Sequence, residues 1–158
     1  MINVQEKKQV NIIEKIKGEE TKIRTKYNLN KNSIANISKF NNINKIKEYV
    51  IINLEETSSI KYILKTLSQE KEEYDILTYH NGKKSKSEII TNGVTINDGK
   101  ITLNISTFVP KNSKNCIAHQ NNKIINLTEN ESIICLWSSL FALYSYIFKI
   151  HIYHPYLL

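Results

Sequence analysis

The side chains in this chain that could bind a metal or act as nucleophiles are few. Cys116 and His119 lie three residues apart in CIAH, Cys135 sits inside an apolar run, and His151 and His154 lie three apart near the end. Thiolate and imidazole are the donors of zinc-type metal sites, which need three or four ligands. Cys116 and His119 could converge on one ion if they sat on a turn, but two ligands do not make a site. Read plainly, they are an isolated thiol and a surface imidazole, and Cys135 is a small buried hydrophobe. His151 and His154 read as strand-face or terminal residues, and His80, beside Asn81-Gly82, as a turn residue. The carboxylates read as solvated charges: Glu55–Glu56 and Glu70, Glu72 and Glu73 in turns, Glu6, Glu14, Glu19 and Glu20 on a face shared with lysines.

Other chemistries have no motif here. There is no phosphate-binding GxxxxGK[ST] loop, no GxGxxG, no HExxH and no GxSxG. With 4 glycines in 158 residues, backbone cradles for phosphate are effectively excluded. This pattern argues against most common enzyme classes.

The elements that must position these residues read as short strands. Turn signals recur at intervals of about 8–14 residues, a spacing typical of all-β folds. Strands are predicted over 10–16, 23–29, 33–40, 47–54, 59–67, 74–79, 87–94, 100–109, 124–127 and 132–136. Over Lys100–Val109, Ile101, Leu103 and Ile105 alternate with Thr102, Asn104 and Ser106, the period of a half-buried strand. SSIKYILKTLSQEKEEY also has helical spacing at Ile60, Ile63, Leu64 and Leu67; strand is the preferred reading. Sandwich, barrel and solenoid all fit this pattern, and no strict short repeat is visible.

Composition adds two constraints. The chain holds 27 Ile, 20 Asn and 21 Lys, but a single Arg and 2 Pro. These biases follow AT-rich codons. The net charge of +7 is therefore nearly all lysine supplied by codon usage, and the lysines interleave with glutamates. A basic nucleic-acid-binding β-domain is an alternative of low weight. The 2 cysteines form no disulfide framework and fit a reducing compartment. The N-terminus has no apolar signal core. Residues 133–148 carry no charge, but the run is shorter than the ~20 residues of a spanning helix. Buried strands or a core helix are expected there, with a membrane anchor as the alternative.

The ordered phrases VNIIEKIKGEE, EYVIINLEETSSIKYI, SEIITNGV, NDGKITLN, FVPKNSKN and AHQNNKIINLTENESI resemble the SufB/SufD family, scaffolds of iron–sulfur cluster assembly. The resemblance runs from about Val4 to Ser132 and towards His154. It implies an all-β, right-handed parallel β-helix with residues 1–158 as one domain. It also implies a non-catalytic scaffold that works with a SufC-like ATPase and a SufD-like protein and holds a transient iron–sulfur cluster between subunits. AT-rich composition then implies a plastid of the apicoplast kind, or alternatively a bacterial cytoplasm. By this resemblance His154 is the cluster-binding candidate, with Pro155 in place of the family's acidic partner. Asn122 falls where the family has a functional cysteine. The family's C-terminal helical region, which docks the ATPase, has no counterpart, so the chain reads as a truncated or diverged member.

Overall fold

The computed structural model describes residues 1–16, 21–42, 45–127 and 132–140. All regular elements among them are strands: β1 (Ile2–Val4), β2 (Gln9–Ile16), β3 (Thr21–Leu29), β4 (Ile34–Asn41), β5 (Ile46–Leu54), β6 (Ser59–Ser68), β7 (Lys71–His80), β8 (Lys86–Thr95), β9 (Lys100–Val109), β10 (Ile117–Asn126) and β11 (Ile133–Leu140). Odd-numbered strands form a 6-stranded sheet in the order β1-β3-β5-β7-β9-β11, and even-numbered strands form a 5-stranded sheet in the order β10-β8-β6-β4-β2. Every pairing is parallel. The chain therefore winds as a parallel β-helix. Each coil lays one strand on each sheet and turns between them.

The segment with rival helical spacing is the strand β6. Inward Ile60, Tyr62 and Leu64 are buried, and Ser59, Lys61 and Ile63 face outward. Tertiary burial with period 2 overrides the local helical spacing. In the uncharged run 133–148, Ile133–Leu140 is the strand β11, paired with β9; the remainder lies outside the described residues. Among the described residues no helix is long and apolar enough to cross a membrane.

Stacking is in register, so each side chain meets its equivalent one coil on. The coil is 25 residues long between Asn3 and Asn28 and between Asn28 and Asn53. It lengthens to 26 between Lys47 and Glu73, 29 between Asp75 and Asn104, and 31 between Thr91 and Asn122. The turns leaving the odd strands follow one rule. Lys7, Asn32, Thr57, Lys84 and Asn115 all take positive φ, between 57° and 59°. The next residue in the last four turns is Ser33, Ser58, Ser85 or Cys116, each buried. The hydroxyls of Ser33, Ser58 and Ser85 donate back to the carbonyls of Asn30, Glu55 and Gly82. Asparagine tolerates the left-handed conformation, and a small polar residue closes the corner on its own backbone. At Gly82 the turn presses on the coil below: a Cβ there would lie 2.0 Å from the Glu56 amide nitrogen.

The interior between the two sheets is mostly aliphatic and tyrosine: Leu29, Ile37, Val50, Ile52, Leu54, Ile60, Ile76 and Ile89, with Tyr27, Tyr62 and Tyr74. Inside this core sits a cation. Lys39, on β4, is 2% exposed and lies between Glu48 on β5 and Glu14 on β2, with 3.1 Å to the latter. Tyr27 donates to Glu14 at 2.8 Å and Thr25 to Glu48 at 3.3 Å. Burial raises the Glu48 pKa more than the Lys39 ammonium beside it lowers it. Removing one member of such a cluster strands a buried charge, at a cost of about 3–5 kcal/mol. Lys39→Met should therefore lower unfolding stability by about that amount. Adding Glu48→Leu should recover most of the loss. Chemical denaturation of the two variants checks this; equal losses from single and double variants would contradict it.

Candidate functional site

Besides the Lys39 cluster, polar side chains set by strand register gather at three further candidate sites. The first is the corner between β7 and β8. His80 ends β7 facing inward and is fully buried. Its Nδ1 is 2.7 Å from Ser85 Oγ and its Nε2 2.9 Å from Ser87 Oγ. Ser85 donates to the Gly82 carbonyl, so its oxygen accepts from His80. That fixes the proton on Nδ1, and Nε2 accepts from Ser87. Cys116, one coil on, has its sulfur 3.3 Å from Ser85 Oγ and within reach of the Gly82 and Ser113 carbonyls. Burial pushes the imidazole pKa down to about 4. The ring is neutral at pH 7 and enclosed, a structural plug that satisfies two hydroxyls.

The second cluster surrounds Glu72 on β7. Its Oε2 accepts from Thr66 at 2.5 Å and lies 3.0 Å from the Tyr74 hydroxyl. Asn41 Nδ2 donates to the same tyrosine oxygen at 2.5 Å. Among the described residues Glu72 Oε1 has no hydrogen-bond partner and no cation is in hydrogen-bonding contact with this carboxyl. Burial, outweighing the two hydroxyls, raises its pKa to about 7. A proton here converts an uncompensated buried charge into a neutral acid.

The third place is the outward face of the even-strand sheet. Asn36, Ser59, Lys61, Lys86, Glu88, Ile117 and His119 line a shallow groove on it. Asn36 donates to Asn11 at 2.9 Å, and Lys61 pairs with Glu88 at 2.9 Å. Four of the exposed large hydrophobics, Ile13, Ile34, Phe40 and Ile117, project from this face. Unlike the His80 and Glu72 clusters, this face is open to a partner.

Several sequence expectations change on this map. Cys116 and His119 do not converge: the thiol is inside the corner and the imidazole is exposed on the outer face beside Glu88. His80 lies on the last residue of a strand, buried rather than in a solvated turn. Glu72 is buried, and Glu14 is half-buried and bonded to Lys39 and Tyr27. Glu55 and Glu56 do lie in a turn, where Glu56 pairs with Lys31 at 2.8 Å. Asn122 faces inward, is buried, and accepts from Thr91 at 2.7 Å. Cys135 lies on β11 opposite Asn104. His151 and His154 lie outside the described residues. Among the described residues no group of three or more His, Cys, Asp or Glu could hold a metal ion.

Against known proteins, the chain matches no family model, and neither a curated protein nor a solved structure matches it significantly.

The Glu72 cluster gives a pH signature. Its folded pKa, about 7, lies above its ordinary value of 4.5. The folded state thus binds more protons than the unfolded chain between those values, and this carboxyl's contribution is full below 4.5 and declines as pH rises to 7. The difference in unfolding free energy between Glu72→Gln and wild type should grow by about 3 kcal/mol across that window, favouring the glutamine at high pH. Urea titrations at pH 4.5 and 7.5 measure it; a pH-independent difference would contradict the assignment.

Proposed function

We propose that the chain is a non-catalytic scaffold of the SufB/SufD type in iron–sulfur cluster assembly, working with a SufC-like ATPase and a SufD-like protein. The observation that supports this reading is the uninterrupted, in-register stacking of parallel coils, the architecture implied by the family resemblance. A β-helix is a rigid rod whose two long faces and corners present fixed columns of side chains. That suits holding partners in a set geometry. Its polar clusters at His80 and Glu72 are enclosed, so partner contacts fall to the outer faces.

The iron–sulfur cluster would be cargo, not a resident group. Since Cys116 and Asn122 are interior, this reading assigns ligation to His154 together with side chains of a SufD-like partner. The AT-rich composition supports a plastid of the apicoplast kind as the compartment.

The test is co-expression of the full chain with the SufC-type ATPase and SufD-type protein of the same genome. The expected result is a complex that survives size-exclusion chromatography and retains iron and sulfide after anaerobic reconstitution. In that complex His154→Ala should lower retained iron at least twofold. Failure of both proteins to associate would overturn the proposal.

A further inference from the structure

The buried Lys39 cluster holds the three groups of an amide-forming reaction, and the cluster-assembly reading makes no use of them. The ammonium of Lys39 and the carboxyl of Glu48 are in contact, with side-chain exposures of 1% and 0%. Leu64 and Tyr74 stack on them from the next coil. Glu48 Oε1 faces the ammonium and accepts from Thr25 at 3.3 Å. Glu48 Oε2, among the described residues, has no hydrogen-bond partner. Glu14 is the third group. Its Oε2 lies 3.1 Å from Lys39 Nζ, and the Tyr27 hydroxyl holds its other oxygen at 2.8 Å. The Glu14 side chain is 23% exposed, so of the three it is the one that reaches solvent.

Two carboxyl groups share one cation here, and burial raises the Glu48 pKa. Glu48 is therefore the acid that holds a proton, and its unpartnered Oε2 is the oxygen free to carry it. In water an amine and an acid stay ionised and do not condense. Inside the coil, water is excluded and the reacting groups are fixed on facing sheets. A neutral amide also relieves the desolvation of two buried charges. We propose that Lys39 and Glu48 condense to an intramolecular amide, with Glu14 as the proton relay. Glu14 takes a proton from the ammonium, and Nζ attacks Glu48 Cδ. The Nζ–Cδ bond forms and the Cδ–Oε2 bond breaks. Lys39 gives up a second proton through Glu14. One of the two joins the hydroxyl leaving Glu48 as water, and the other stays on Glu14 and exchanges with solvent. No oxidant or co-reactant enters the balance. The ion pair is the state of the freshly folded chain, and the amide accumulates from it, tying β4 to β5 across the core.

The full chain is made by cell-free synthesis and followed over several days at neutral pH by intact mass spectrometry under denaturing conditions. The expected result is loss of one water from the sequence mass in most of the chain. Digestion should then give a branched peptide in which Lys39 joins Glu48. Lys39→Met and Glu48→Leu should keep their full sequence mass. Glu14→Gln keeps the side chain's size and an acceptor for Tyr27, and should slow the loss of water about a hundredfold. Circular dichroism confirms that this variant is folded, and a Glu14 that only fills space would leave the rate unchanged. That unchanged rate would overturn the relay. Wild-type chain that stays at full sequence mass would overturn the whole inference. So would a loss of water that persists in Lys39→Met, which would place the dehydration elsewhere, as at Asp98-Gly99.

Discussion

In this fold the backbone partners of each strand lie one coil away. A β-helix has no helices to satisfy amides locally, so the N–H and C=O groups of a coil belong to the coils above and below it. That constraint fixes register, and register fixes everything else. A residue facing inward in one coil meets an inward residue in the next. Columns such as Leu29, Leu54 and His80, or Glu14, Lys39 and Leu64, are set by the strand pairings rather than by local preference. The corner residues Asn32, Thr57, Lys84 and Asn115 take the same left-handed backbone because each turn must return the chain in phase.

Polar groups inside such a column must be satisfied by neighbours along it or across to the other sheet. Lys39 reaches Glu48 across the core and Glu14 along its own sheet. His80 reaches Ser85 and Ser87 on the returning chain. Glu72 has hydroxyl partners and, among the described residues, no cation in contact, and its proton makes up the deficit. These arrangements restrict which coils can stack on which. They also leave partner recognition to the outer faces. There the columns are fixed in spacing by the ladder, as in Asn3–Asn28–Asn53 and the stacked Tyr79–Phe108 pair, 4.9 Å apart.

Much of the fold is legible in the sequence, because Ile and Tyr alternate with polar residues and Asn marks the turns. The predicted strand at 124–127 covers only the end of β10, Ile117–Asn126. Its inward positions include the amides Gln120 and Asn122, so no apolar alternation announces it. β1 is 3 residues long, too short to show a period. The coil repeat is hidden because its length drifts and because Ser33, Ser58 and Ser85 give way to Cys116. The signal that could have revealed it is the small polar residue that follows a turn in NKNS, EETS, GKKS and SKNC. Glu72 reads as a solvated turn charge, and nothing local marks Lys39 or Glu48 as interior, since their partners come from neighbouring coils and the opposite sheet. The outer face was illegible for the same reason. Ile13, Ser38, Ile63 and Ile90 are scattered in sequence and become neighbours only through stacking.

The most direct test of that stacking is disulfide formation between paired outward positions. Asn28→Cys and Asn53→Cys, in a background with Cys116→Ser and Cys135→Ser, place two thiols on neighbouring parallel strands in register. Their Cα separation of about 4.8 Å is within disulfide range. The offset pair Asn28→Cys and Tyr49→Cys lies four residues out of register on the same face. The stacked-coil account predicts rapid, near-complete intramolecular oxidation of the first pair and none of the second in the native state. Equal oxidation of both pairs, or failure of the in-register pair, would contradict it.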